Sequence, residues 1–253
     1  MPDDTVGSLS LRVTILGSSG TYAGPRQACS GYLLRSARTT VLLDAGPGTL
    51  ANLQEHVALD ELDAVVVSHA HPDHWLEVPV MRNALRYVIE VEGIDLFSTS
   101  ETLDMAERIC QNQLRPTFRP QLITDRSEFS IGDLSFRCSR TDHPPETLAM
   151  RVDCSSGSFG YSADTGPGWS IDELGRGLDL GIIEATYLDR DAPAEGVHLS
   201  AHQAGTAARE ADVKRLVITH VQPTGSPSAS EAEATDAYGA AVEAARPHQT
   251  YVV

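Results

Sequence analysis

The sequence predicts one mixed α/β domain, with strands in meanders and helices laid outside them in two similar halves. Three observations carry this. Short apolar, β-branched runs alternate with segments of helical periodicity along the whole chain. One strand runs into Asp44-Ala-Gly-Pro-Gly in the first half and another into Asp164-Thr-Gly-Pro-Gly in the second, an echo expected of a duplicated β-rich unit. The 253 residues hold no linker, low-complexity tract or short-period repeat, so 1–253 reads as a single domain.

Residues 11–16 alternate as a strand and end in Gly17-Ser18-Ser19-Gly20, a glycine turn that could also cradle an anion at Ser19. Strands follow at 31–34 and 40–43, and a helix is expected from about Pro47 to His56. The run 62–67 reads as a buried strand leading into Ser68-His-Ala-His-Pro-Asp-His74. Residues 77–91 place Val80, Leu85 and Val88 at helical spacing, with Trp75 and Met81 available for a pocket or the core. A strand at 94–98 precedes a helix at 101–113 capped by Thr99 or Ser100. Residues 114–120 carry two prolines with Arg115 and Arg119, and read as an irregular loop able to meet an anion.

Hairpins at 129–139 and 148–161, turning at Gly132-Asp133 and Ser155-Ser156-Gly157, deliver His143 and Asp164 to strand ends. A short helix at 171–174 leads to the strand 180–184. Ser200 caps a helix to about Glu210, and the strand 216–219 ends at His220. A loop at 226–230, a helix at 230–245 and a strand at 250–253 complete the chain.

Composition narrows the function. With 41% hydrophobic and 21% charged residues the chain is of ordinary globular type. No apolar run approaches the length of a membrane span. The acidic start Met1-Pro2-Asp3-Asp4 does not resemble a signal peptide, and the scattered Cys29, Cys110, Cys138 and Cys154 read as packed thiols, so a cytoplasmic location is expected. The net charge is −16, with Lys214 the sole lysine. That balance disfavours a large nucleic-acid partner, whose phosphates need a basic surface. A small anion drawn to a positive metal site remains compatible.

The segment 68–74 dominates the chemistry. In extended chain His69 and His71 point the same way. Pro72 holds His71 out of the helical region and opens a helix, so Asp73 and His74 diverge from the first pair. Two divergent ligand sets in one loop suit two adjacent metal ions. These residues, with His143, Asp164 and His220, are all expected at or just beyond the C-terminal ends of strands, the edge where layered α/β folds gather ligands. Asp44 reads as an acceptor for the spare N–H of a ligand histidine, with Ser68 beside it.

The succession H-x-H-x-D-H, lone His143, Asp164 and His220 resembles the metallo-β-lactamase fold superfamily, over nearly the whole chain. The resemblance implies a four-layer αβ/βα sandwich, two β-sheets flanked by helices, with two divalent ions. These are usually zinc; manganese or iron would also suit imidazole and carboxylate ligands. His69, His71 and His143 would hold the first ion, Asp73, His74 and His220 the second, and Asp164 would bridge. With a bridging hydroxide such a site keeps about one positive charge, suited to a phosphodiester monoanion.

Glu184 in E-A-T-Y and His198 in H-L-S resemble the ribonuclease Z-like branch, where a Glu–His pair assists the leaving oxygen. The long arm of ribonuclease Z is replaced by one tight hairpin between His143 and Asp164. The chain is in this respect more similar to short actinobacterial-type cyclic-nucleotide phosphodiesterases. The resemblance therefore implies hydrolysis of a small phosphodiester, a cyclic nucleotide foremost, by a metal-bridging hydroxide, with Asp73, Glu184 and His198 catalytic. Trp75, Ser19, Arg115 and Tyr187 are the candidate substrate contacts, and a homodimer is expected by analogy. A tRNA 3′-processing endoribonuclease and an ester, thioester or lactone hydrolase are the alternatives.

Overall fold

A computed structural model describes residues 10–253; the Met1–Asp4 segment lies outside them. Six strands, β1 (Arg12–Gly17), β2 (Gly31–Arg35), β3 (Thr40–Leu43), β4 (Ala64–Val66), β5 (Ile94–Ser98) and β6 (Phe118–Leu122), run through the first half. The second half supplies β7 (Glu128–Ile131), β8 (Leu134–Arg140), β9 (Leu148–Cys154), β10 (Gly157–Tyr161), β11 (Leu180–Glu184), β12 (Leu216–Thr219) and β13 (Glu243–Ala244). The last strand, β14 (Thr250–Val252), returns to pair with β1, giving two mixed sheets of seven strands each.

Both faces of each sheet are covered, which explains the near-continuous apolar runs. In β3, Val41 and Leu43 enter the core between the sheets, while Leu42 faces the outer layer. That layer contains α1 (Thr49–Leu53), α2 (Pro72–Trp75), α3 (Glu77–Ala84) and α4 (Ser100–Ile109). Over the second sheet, α5 (Ala201–Glu210) and α6 (Pro227–Tyr238) bury Ala204, Ala208 and Ala234 against Ile183 and Ile218. The result is the expected αβ/βα sandwich. No helix among the described residues is long and apolar enough to cross a membrane.

Several local expectations are corrected. The helix expected from Pro47 starts only at Thr49, because Gly48 is left-handed (φ 91°) and cannot belong to it. The inward face of α3 is Val78 and Met81, continued by Leu85 in a π-turn, whereas Val80 and Val88 are 53% and 80% exposed. The helical period was read correctly but its phase was not. Half of the presumed loop 114–120 is β6, where Pro120 is tolerated because the strand lies at the sheet edge. The last helix starts early, capped by Ser226, and ends at Tyr238, so 243–244 becomes a strand. The remaining elements lie within a few residues of their expected bounds.

The phase of α3 has a measurable consequence. Met81→Ala should cost about 2–5 kcal/mol of stability, whereas Val80→Ser should stay within about 0.5 kcal/mol of wild type. Chemical denaturation of the two variants distinguishes this phase from the one expected of the periodicity.

Candidate metal centre and active site

β3, β4, β8, β10, β11 and β12 all end on the same edge of the sandwich, and the chemistry-bearing side chains come from the turns that follow them. Sharp turns are built there at some backbone cost. Asp44, Ala163 and His220 take left-handed angles (φ 56°, 50° and 61°), each costing about 1–2 kcal/mol that the surrounding contacts must offset. Two glycines allow the close packing. A Cβ on Gly46 would lie 1.9 Å from the Asp73 carbonyl oxygen, and one on Gly20 would lie 2.4 Å from that of His220.

The structure brings together the seven residues singled out in the sequence. His69, His71, His143 and Asp164 offer ligand atoms within 4.8 Å of one another, and so do Asp73, His74 and His220. Asp164 lies between the two groups. Its carboxylate oxygens stand 3.2 Å from His74 Nε2, 3.4 Å from His220 Nε2, 3.6 Å from His69 Nε2 and 3.8 Å from His143 Nε2. All but His71 are buried, and His71 is half-buried.

The donor set fits divalent cations on an observation independent of sequence. His69 Nε2 and Asp164 Oδ1 are fully buried and make no hydrogen bond, an arrangement that folded proteins rarely leave uncompensated. Burial moves His69, His71 and His143 below their ordinary 6.5, which keeps these rings neutral, the form that coordinates metal. Burial alone would raise Asp164, but the charges of His220 and His74 hold it well below the usual carboxylate range. Asp73 is likewise lowered: burial opposes ionisation, and the hydrogen bond with His220 and the charge of His74 outweigh it. His74 moves the other way, since Asp164 and Asp44 together overcome its burial and raise it.

The ring orientations are set by partners on the far side. Asp44 Oδ2 accepts from His74 Nδ1 at 2.8 Å and from the Ser68 hydroxyl at 2.9 Å, and Ser68 Oγ lies 3.0 Å from His69 Nδ1. Asp44 Oδ1 accepts from the Ser68 amide. These bonds turn Nε2 of both histidines toward Asp164. His143 Nδ1 donates to the Val197 carbonyl.

Glu184 and His198 meet as a pair, with Nδ1 of His198 2.9 Å from Glu184 Oε1 and 3.9 Å from Asp164. The buried Glu184 also accepts from the Thr165 and Leu199 amides and the Thr186 hydroxyl, so its charge is well satisfied. Burial disfavours protonated His198, yet the hydrogen bond and charge of Glu184 prevail and raise its pKa above 6.5.

The proposed substrate contacts fare unevenly. Tyr187 is half-buried with its ring edge-on to His198 at 6.2 Å. Trp75 is buried in the outer core and its indole donates to the Ala70 carbonyl, so it faces away from solvent. Ser19 spends its hydroxyl on the Tyr22 carbonyl. Its glycine-rich loop lets the Thr21 amide donate to Asp73 Oδ2 at 2.8 Å. Arg115 is exposed at the start of β6, the opposite edge of the sheet from the site.

Two contributors escaped the sequence reading. Thr186 Oγ lies between Glu184 Oε2 (2.7 Å) and His220 Nδ1 (2.9 Å), and the Tyr161 hydroxyl donates to Asp44 Oδ2 at 2.8 Å. Thr186 stands inside the E-A-T-Y motif, where the sequence reading gives a role only to Glu184, and Tyr161 had no signal but position. Thr186 falls two residues beyond a strand-end glutamate, and Tyr161 ends the strand that precedes Asp164.

Comparison with known proteins agrees with this geometry. The family described as "Beta-lactamase superfamily domain" matches residues 39–221. Protein Rv1339 of Mycobacterium tuberculosis is 33% identical over 225 residues, covering 85% of this chain and 82% of its own. Ribonuclease Z of Nocardia farcinica is 25% identical over 262 residues, covering 82% of this chain and 86% of its own. The crystal structure of the metallo-beta-lactamase fold protein YhfI from Bacillus subtilis aligns with a TM-score of 0.88 at 22% identity, over 96% of this chain and 99% of that one. The chain belongs to the beta-lactamase superfamily and has the fold of a metallo-hydrolase.

Proposed function

We propose that this chain is a dinuclear, metal-dependent phosphodiesterase acting on a small phosphodiester, a cyclic nucleotide foremost. The observation that carries the reading is the pair formed by buried Glu184 and half-buried His198 beside Asp164. His69, His71 and His143 would hold one ion, Asp73, His74 and His220 the other, with Asp164 shared. When bound, the two ions would supply Lewis acidity to the phosphoryl oxygens and to the attacking water.

The protein's own residues then provide what the ions do not. A departing alkoxide needs a proton, because the parent alcohol is a very weak acid and its anion is too basic to leave unprotonated at neutral pH. His198 keeps its Nδ1 proton on Glu184, which leaves Nε2 as the group that delivers a proton to the leaving oxygen. The Glu184 hydrogen bond and charge, which raise the His198 pKa against its burial, favour the protonated ring.

The Nocardia relative is named a ribonuclease, which supports phosphodiester chemistry in general. Substrate size is argued from this chain alone. β9 and β10 are joined by a turn at Ser155-Ser156, and the net charge is −16. A small monoanion is then favoured over a polynucleotide, which needs an extended basic surface.

His198→Ala should retain its metal content by elemental analysis while turnover of cyclic AMP falls about 10²–10⁴-fold. Wild-type turnover in that variant, or clean cleavage of precursor tRNA with none of cyclic nucleotides, would refute the assignment. Stripping the wild-type protein with a chelator should abolish turnover and lower its unfolding temperature, and zinc or manganese should restore both. Activity that survives complete stripping would exclude the metal reading.

A further inference from the structure

Two buried tyrosines cross between the sheets, one ending on Asp44, the hydrogen-bond partner of His74, and the other on Thr219, the residue before His220. Tyr161, the last residue of β10 in the second sheet, reaches into the first sheet to donate to Asp44 Oδ2 at 2.8 Å, the same oxygen that receives His74 Nδ1. Tyr32, in β2 of the first sheet, reaches the other way. Its hydroxyl lies 2.6 Å from Oγ of Thr219, the residue immediately before His220. The rings pack against each other at 4.9 Å between centroids, tilted by 56°. Both side chains are fully buried.

We infer that Tyr32 and Tyr161 are positioning residues that set the gap between the sheets at one metal position, the one formed by Asp73, His74 and His220. The inference rests on the two-metal reading above. Its physical basis is that His74 and His220 belong to different sheets, yet their Nε2 atoms must stand 3.4 Å apart. Packing of apolar side chains between sheets is non-directional and cannot set such a distance alone. A hydroxyl bond from each sheet into the other can, because it fixes direction as well as separation. Tyr161 holds the carboxylate that orients His74. Tyr32 holds the strand end from which His220 turns at φ 61°.

The other position is braced differently. His143 is tied to Val197, and His69 meets Asp44 only through Ser68, whose hydroxyl shares Oδ2 with Tyr161 but whose amide is held separately by Oδ1. The two tyrosines should therefore matter to one ion and not to its neighbour.

Zinc affinity of chelator-stripped protein, measured by competition with a chromophoric chelator, tests this without recourse to activity. Wild type should take up two ions. Tyr161→Phe and Tyr32→Phe keep the rings and remove only the hydroxyls; each should weaken one of the two ions about tenfold and leave the second as in wild type. Thr219→Val, which removes the partner of Tyr32 without touching either ring, should reproduce Tyr32→Phe. Val152→Ala, a destabilised core variant between the sheets, should keep both affinities. Unchanged affinities in the tyrosine variants, an increased affinity, or equal weakening of both ions would overturn the inference. A wild-type protein that binds fewer than two ions would overturn the two-metal reading and this inference with it.

Discussion

The arrangement depends on one buried carboxylate, Asp164, faced by imidazole nitrogens of four histidines at 3.2–3.8 Å. A neutral imidazole has one N–H and one lone pair. Four lone pairs can be aimed at a common place only if four N–H groups are taken up elsewhere. Much of the architecture at this edge of the sandwich serves that requirement. Asp44 takes His74 directly and His69 through the Ser68 hydroxyl. Glu184 takes His198 directly and, through Thr186, His220. Each half of the molecule has thus arrived at the same device, a carboxylate that holds one ring itself and a second by way of a hydroxyl.

The two halves match in topology as well. β3 and β10 are each the fourth strand of their sheet, antiparallel to the strand before them in sequence and parallel to the one after. Each is followed by the aspartate of the sequence echo, yet the two aspartates have diverged. Asp44 turns back to accept from Ser68, His74 and Tyr161, whereas Asp164 points into the cluster. The repeat supplies the scaffold, and the side chains following equivalent strands divide the labour of holding and facing.

Much of this could be read from the chain. The strand 62–67 and the spacing of His69, His71, Asp73 and His74 already implied diverging ligand sets, because Pro72 enforces the change from extended to helical geometry. Strand ends were legible where an apolar run met a polar or turn-forming residue, as at Leu43 before Asp44, at Glu184 itself and at Thr219 before His220. Helix phase was harder. Val80 and Met81 are adjacent apolar residues, and periodicity alone does not say which faces inward. Contacts to substrate were least legible. Arg115 looked suited to an anion by residue type, but which edge of a sheet a loop occupies follows from strand direction, and that emerges only when β6 pairs with β5. Trp75 was ambiguous for a related reason: its place in the outer core depends on how α2 docks. Thr186 lay within the E-A-T-Y motif but its contact with His220, like that of Tyr161 with Asp44, exists only across the folded interior.

The separation of these groups along the chain bears on how the cage is assembled during synthesis. His71 and His143 are 72 residues apart, and Asp73 and His220 are 147 apart, so closing the cage carries a loop-closure cost that is met only when both sheets have docked. An N-terminal portion emerging first from the ribosome presents His69, His71, Asp73 and His74 without His143, Asp164 and His220. The last histidine of the cluster arrives only with the turn after β12. Any choice among cations would thereby be an event of late folding, governed by the finished geometry rather than by which ion the nascent chain met first.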